Sequence, residues 1–345
     1  MSARRPWLAW LAPVYGAVVA AKRRMYEWGW LKRNRLPAPV ISVGSVSAGG
    51  AGKTPFVAML AGILRRRGYA VSILTRGYGR ASELIERVEP YDDPGWHGDE
   101  PVLLAQRSGA PVFAGADRYR AGLLAEQDKY DEKIAVHLLD DGFQHLKLAR
   151  NVDIVLLTRE DTEESLLPGG NLREPIAAVA EADVVVLRED EADALRDVVR
   201  GLREESDGLA VWVIRRTLGL GELGEPLPTL PLAFCGIARP ENFTKMVTAS
   251  RYEPLETMVF PDHHPYDERD VARLLERARH LGANGFVTTE KDAVKLTPDL
   301  RGRLEAVGPV IVARLNVELV EEKEAMTQLV AMVGQLDRRK ERGRA

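Results

Sequence analysis

A chain of 345 residues, 45% hydrophobic and 29% charged, can fill two domains of ordinary size without disulfides or a structural metal. Its one cysteine, Cys235, excludes an intrachain disulfide and a cysteine-built zinc site. A formal net charge of −3 argues against a general nucleic-acid binder, so no nucleic-acid partner is expected.

Residues 1–36 read differently from the rest. Arg4 and Arg5 precede an uncharged run from Pro6 to Ala21, which Lys22, Arg23 and Arg24 close. Tyr26, Trp28 and Trp30 follow, with Lys32, Arg33 and Arg35 among them. The run falls short of the roughly 20 apolar residues a spanning helix needs. Aromatic rings flanked by cations suit the headgroup region, so a helical segment lying on a membrane surface is expected. A core helix packed on the domain is the plain alternative. A secretory signal is another, but a nucleotide-type loop follows almost at once and ATP is cytosolic.

Residues 40–43 read as a short buried strand that runs into a glycine-rich turn. Residues 54–67 have helical spacing, with Phe56, Met59, Leu60 and Leu64 on one face. Gly68 ends that helix, and residues 71–74 form the next strand. Strand, loop, helix and strand in this order predict a parallel α/β sheet. Apolar runs at 111–114, 134–139, 152–157 and 183–187 predict further strands. These elements define a domain over 37–218. Residues 219–231 (GLGELGEPLPTLP) change composition and predict a linker. Residues 232–345 then read as a smaller α/β domain: strands at 232–236, 252–260, 285–289 and 310–315, and helices from about 240 and over 266–281. From 317 onward the pattern is helical and ends solvated.

The turn carries the clearest chemistry. Ser47-Ala48-Gly49-Gly50-Ala51-Gly52-Lys53-Thr54 lies between a strand and a helix, the context a phosphate loop needs. Backbone N–H groups of Ser47, Gly49, Gly50, Ala51 and Gly52 would face a phosphate, and glycine admits both the close approach and the positive φ. Lys53 would neutralise β/γ oxygens of ATP, and the Thr54 hydroxyl would ligate Mg²⁺. Pro55 closes the GGAGKTP string and is not expected to bind the cofactor. Ser47 stands where the usual motif begins with glycine. Ala48 stands where dimeric switch ATPases carry a further lysine.

Acidic residues come in three places. The run 134–139 ends in Asp140-Asp141-Gly142-Phe143-Gln144-His145. A carboxylate at a strand's carboxyl end can hold the Mg²⁺ shell, and neighbouring side chains point to opposite sides, so the two aspartates would divide two jobs. A solvated turn is the alternative. Asp99 and Glu100 precede Pro101, and on spacing alone they cap a helix. Asp262, His263 and His264 offer metal binding or proton transfer, or simply a polar interdomain loop.

The set GGAGKTP, RGYGR (76–80), GDEP (98–101), ADRYR (116–120), DDGFQH, REP (173–175), CGIARPENF (235–243), PDHHPY and TTEKDAVK (288–295) occurs in this order. It closely resembles the tetraacyldisaccharide 4′-kinase family of lipid A biosynthesis. The resemblance implies a P-loop NTPase-like domain, a smaller α/β domain and a monotopic enzyme on the cytoplasmic face of a Gram-negative inner membrane. It implies ATP with Mg²⁺, and a tetraacylated glucosamine disaccharide 1-phosphate whose 4′-hydroxyl takes the γ-phosphoryl group. It assigns phosphate binding to Lys53 and Thr54, the base to Asp99 with His263 as partner, and an active-site role to Asp141. Metal contact falls to Thr54 and Asp140, with Glu174 beside Arg173 as a further ligand. No oligomer is implied. Ser45, Ala51 and the PGGNLREP segment depart mildly from the usual pattern. A switch GTPase would need a base-reading N/T-K-x-D segment, and Glu290-Lys291-Asp292 after Thr289 reads more simply as a capped helix start. A membrane scaffold with a dead loop is the third reading, against which Lys53, Thr54 and the acids are all present.

Overall fold

The computed structural model describes residues 6–128, 134–206, 208–221 and 226–342. Twelve strands are present among them: β1 (Val40–Ser45), β2 (Ala70–Thr75), β3 (Glu86–Val88), β4 (Val112–Ala114), β5 (Ala135–Asp140), β6 (Val152–Leu156), β7 (Val184–Arg188), β8 (Ala210–Leu220), β9 (Pro231–Cys235), β10 (Glu256–Val259), β11 (Gly285–Thr289) and β12 (Val310–Leu319). They form one sheet in the order β10-β9-β11-β12-β8-β7-β6-β1-β5-β2-β4-β3. Every neighbouring pair is parallel except β3–β4 and β8–β12. The expected α/β class and its mostly parallel sheet are therefore observed.

The central strands are apolar on both faces because helices cover both. β1 is buried along its whole length. The helix Lys53–Arg66 lays Phe56, Val57, Leu60 and Leu64 on one face, against Val43, Ile73, Leu138 and Ile154. Pro55 sits in its first turn, where a missing backbone N–H removes no intrahelical bond. On the other face of the sheet Val46, Phe143, Val155, Val185 and Leu187 pack together. Truncating a side chain as buried as Leu60 would cost about 2–5 kcal/mol.

The boundary at 219–231 is drawn differently by the structure. β8 escapes the apolar-run criterion, because Arg215 and Arg216 interrupt it and much of the strand is only half-buried. It takes in Gly219 and Leu220 and pairs antiparallel with β12, from Ile214↔Leu319 to Leu220↔Ala313. One sheet thus runs without a break through both of the regions that the sequence separates. The same ladder keeps the chain extended to Leu319, so the last helix is Glu322–Arg342 rather than starting near 317. Residues 1–5 of the expected N-terminal segment, 222–225 of the expected linker and 343–345 of the expected solvated tail lie outside the described residues.

At the N-terminus a 3₁₀ turn, Pro6–Leu11, leads into the helix Ala12–Glu27. Tyr15 Oη donates to the Arg173 carbonyl at 3.1 Å, and Arg23 is buried against Glu174 and Glu181. Trp7, Trp10, Trp28 and Trp30 are 62–72% exposed. Packing on the domain and exposed tryptophans therefore occur in one segment. No helix among the described residues is long and apolar enough to cross a membrane.

Candidate active site

β1, β2 and β5 lie side by side and end at the same edge of the sheet. This edge is where ligands bind in open α/β sheets. β1 delivers the glycine turn. Gly49, Gly50 and Gly52 all have positive φ, at 81°, 77° and 88°, and Gly52 is the residue before the helix Lys53–Arg66. That helix starts without a side-chain cap. Its first N–H groups are free to meet an anion, whose charge the helix N-terminus favours. A Cβ on Gly50 would come within 2.5 Å of Arg239 Nε, the side chain that covers the turn.

Around the turn the side chains interlock. Lys53 Nζ donates to Ser45 Oγ at 3.0 Å and lies 3.3 Å from Asp141 Oδ1. Arg173 Nη1 meets the other oxygen, Asp141 Oδ2, at 2.6 Å. Burial works against the Asp141 anion, but Lys53 and Arg173 outweigh it and hold its carboxyl down at about 2. Asp141 is thus a fixed negative charge that aims Lys53. Its φ of 49°, rare outside glycine, turns it away from the strand direction. Asp140 ends β5 and instead accepts from Thr75 Oγ1 at 3.0 Å. The two aspartates therefore face different partners, Asp140 from the end of the strand and Asp141 through the left-handed backbone just after it rather than through strand alternation. Ser47 and Ala51 are buried within the turn, with Ser47 bridged to Leu172 and the Ala48 N–H bonded to the Asn171 carbonyl at 2.9 Å.

A magnesium ion fits beside this edge. Burial, then the charges of Glu100 and Asp141, push the Asp140 carboxyl up to about 7. A divalent cation there would return it to the anion. Among the described residues no cluster of three or more His, Cys, Asp or Glu could hold a metal unaided. Magnesium does not require one, since it takes phosphate oxygens and water together with one or two protein oxygens. Thr54 and Asp140 suit that share. Glu174 does not: its carboxylate is engaged by the buried Arg23 guanidinium, and it serves the attachment of the N-terminal helix.

The cleft of about 250 Å³ beside the turn is lined by Lys53, Thr54 and Pro55 on one side and by Ile237, Phe243, His263 and Lys291 on the other. Pro55 gives the wall only its ring, with no polar side-chain atom or backbone N–H for a phosphate. Here the third acidic site appears. Asp99 opens the helix Asp99–Ser108 and is 5% exposed. The expected capping is not made: Gly98 precedes the helix, which starts without a side-chain cap, and Asp99 Oδ1 accepts only from the adjacent Glu100 N–H at 2.9 Å on that side. The other oxygen does more. Asp99 Oδ2 lies 2.8 Å from His263 Nδ1, across 164 residues of sequence. Burial raises the Asp99 pKa, but the hydrogen bond and charge of His263, with Lys291 and Lys295, bring it below the usual carboxylate range. The same hydrogen bond raises His263. The Tyr78 ring sits 5.5 Å from the imidazole.

Several site residues carry no sequence signal of their own. Ser45 and Thr75 are ordinary strand-end hydroxyls until Lys53 and Asp140 meet them. Lys291 reaches Glu100, and Arg107 reaches Glu290 at 2.8 Å. Thr289 does cap the following turn, as its sequence context predicts, by accepting from the Asp292 N–H.

A phosphate-sized turn at a helix mouth, a lysine aimed by a fixed anion, and a buried acid paired with histidine across the cleft together define an α/β kinase. The family model for tetraacyldisaccharide-1-P 4′-kinase matches residues 4–334. The chain belongs to that family. A tetraacyldisaccharide 4′-kinase of Koribacter versatilis is 38% identical over 330 residues, covering 94% of this chain and 98% of the relative. One from Halorhodospira halophila is 39% identical over 294 residues, covering 84% and 83%. The crystal structure of LpxK from Aquifex aeolicus in complex with ATP is 30% identical, with a TM-score of 0.72 over 94% of this chain and 98% of that one. The protein is an ATP-dependent kinase of the lipid A 4′-phosphorylation step.

Proposed function

We propose that the chain carries out this transfer at a membrane surface, with Asp99 receiving the proton of the acceptor's 4′-hydroxyl. The observation that carries this reading is the Asp99–His263 pair, held at 2.8 Å, with His263 on the wall of the cleft that Lys53 and Thr54 line. The acceptor oxygen forms its bond to the γ-phosphorus as the bond to the β-bridging oxygen breaks. ADP leaves, and the hydroxyl proton passes to Asp99. A weakly basic carboxylate suffices, because phosphoryl transfer is loose and the hydroxyl becomes acidic only as its new bond forms. His263 donates to Asp99 and fixes its direction. Lys53 holds positive charge at the transferring group, while Thr54 and Asp140 supply oxygens for magnesium. Magnesium, when bound, neutralises charge on the β and γ phosphate oxygens.

The acceptor's four acyl chains would remain in a bilayer, so the enzyme must reach the headgroup plane. The exposed Trp7, Trp10, Trp28 and Trp30, with Lys22, Arg24 and Arg33 in the same segment, suit that plane. The cytoplasmic face of an inner membrane is the natural location, since ATP is there. Incubation with γ-labelled ATP and a tetraacyldisaccharide 1-phosphate in mixed micelles tests the reading. Label in the lipid, lost in Asp99→Asn, is the expected result. Label released only as free phosphate would overturn it.

A further inference from the structure

The TTEKDAVK segment has no part in the mechanism above, yet it binds residues that adjoin both halves of the Asp99–His263 pair, Glu100 on one side and Gly236 on the other. We propose that residues 289–292 form a two-sided bracket that sets the spacing of that pair, making Lys291 and Asp292 positioning residues for proton transfer. The inference rests on the reading of Asp99 and His263 as the proton-transfer pair.

The turn is rigid in itself. Thr289 ends β11, and its Oγ1 donates to Asp292 Oδ2 at 2.6 Å while accepting from the Asp292 N–H at 3.2 Å. Asp292 is fully buried and has no access to solvent. Its Oδ1 accepts from the Gly236 N–H and from Tyr266 Oη, each at 3.0 Å, and Lys295 Nζ lies 3.0 Å from the same oxygen. A buried carboxylate with so many donors cannot move without leaving them unpaired, which makes it a fixed point. Gly236 in turn accepts from the His263 N–H at 3.2 Å. A Cβ on Gly236 would fall 2.8 Å from the Pro261 carbonyl, so this loop is packed tightly against the turn. His263 itself has φ of 58°, a strained setting for a non-glycine residue that its surroundings must enforce.

The opposite side of the turn grips the helix of Asp99. Lys291 forms an ion pair with Glu100, the residue next to Asp99. Glu290 pairs with Arg107 at 2.8 Å, near the far end of the same helix. Three consecutive residues therefore hold the acid's helix by two ion pairs and the histidine's loop through one buried carboxylate. Asp99 and His263 come from distant parts of the chain, and a small misplacement between reacting groups can cost a large factor in rate.

Lys291 also lines the cleft with Lys53, so direct contact with the nucleotide is the competing role. Double-variant kinetics separate the two. Lys291→Met should lower kcat about tenfold or more while changing the KM for ATP less than about twofold. Lys291→Arg should restore most of the rate. In an Asp99→Asn background, Lys291→Met should add no further loss, because both changes disable one device. A full multiplicative loss in that background, or a Lys291→Met enzyme at wild-type kcat beside a slow Asp99→Asn, would overturn the bracket alone. Asp99→Asn at wild-type rate would overturn the proton-transfer reading and the bracket with it.

Discussion

Arg23 and Glu174 form a buried ion pair, with side chains only 9% and 3% exposed, that fastens the N-terminal helix to the loop beside the phosphate turn. The residue before Glu174, Arg173, gives its carbonyl to Tyr15 and its guanidinium to Asp141. Asn171, two residues earlier, accepts from the Ala48 N–H of the turn. The helix beside the outward tryptophans is thus also a brace for the site.

This pair gives the first prediction. Arg23→Met leaves Glu174 buried without its guanidinium and should destabilise the protein by about 3–5 kcal/mol. Adding Glu174→Met should recover most of that loss, because a buried pair is often worth little against apolar replacements. Denaturant unfolding of the wild type and the two variants in detergent measures both. Equal stability of Arg23→Met and wild type would show that the pair is not buried as a unit.

Lys53→Ala should reduce phosphoryl transfer on the order of 10²–10³-fold, since it removes a positioned cation from a low-dielectric cleft. Asp141→Asn should give a smaller loss, because Lys53 would keep its bond to Ser45 but lose the anion that aims it. Initial rates with labelled ATP rank the two. A larger loss for Asp141→Asn would reverse these roles.

The Asp99–His263 pair should contribute stability over a limited pH window. The folded protein raises His263 above its ordinary 6.5, so that contribution is complete below 6.5 and fades as pH rises through the folded value. It lowers Asp99 below its ordinary 3.8, so that contribution is complete above 3.8 and fades as pH falls through the folded value. The gap between wild type and His263→Ala should therefore be widest near pH 5, between those two limits. Thermal unfolding across pH 4–8 tests this, in steps of about one unit. A gap that grows steadily toward pH 8 would exclude the ion pair.

Replacing Trp7, Trp10, Trp28 and Trp30 with serine should weaken sedimentation with anionic vesicles while leaving unfolding midpoints nearly unchanged, because all four rings are exposed. Raised salt should weaken binding further through Lys22, Arg24 and Arg33. Unaltered sedimentation of the fourfold variant would remove the helix from the membrane contact.

Gly44→Ala should be destabilising by about 1–3 kcal/mol, the usual range for overpacking. The added Cβ would lie 2.5 Å from Phe143 Cβ and 2.8 Å from the Phe143 nitrogen, and backbone cannot swing aside. Circular dichroism melts suffice, and a neutral change would mean that the 142–144 turn yields easily.

Local chemistry is readable from the chain because it depends on neighbours in sequence. Glycines before Lys53-Thr54, an apolar run before Asp140 and a capping threonine at 289 each act within one turn of backbone. Strands with mostly apolar runs, such as β1 and β5, are legible for the same reason. β8 is not, because most of its residues are only half-buried and its arginines disguise the pattern.

By itself, then, the amino-acid order determined the class of sheet, the phosphate turn and the family. Spacing alone left Asp99 as a helix cap and the family resemblance named His263 as its partner, but only the folded chain showed their contact at 2.8 Å, that Asp141 aims Lys53, and that Glu174 serves Arg23. A carboxylate's role depends on which opposite charge meets it and how much water remains, and both are set by segments distant in sequence, 151 residues away for Glu174 and 164 for Asp99.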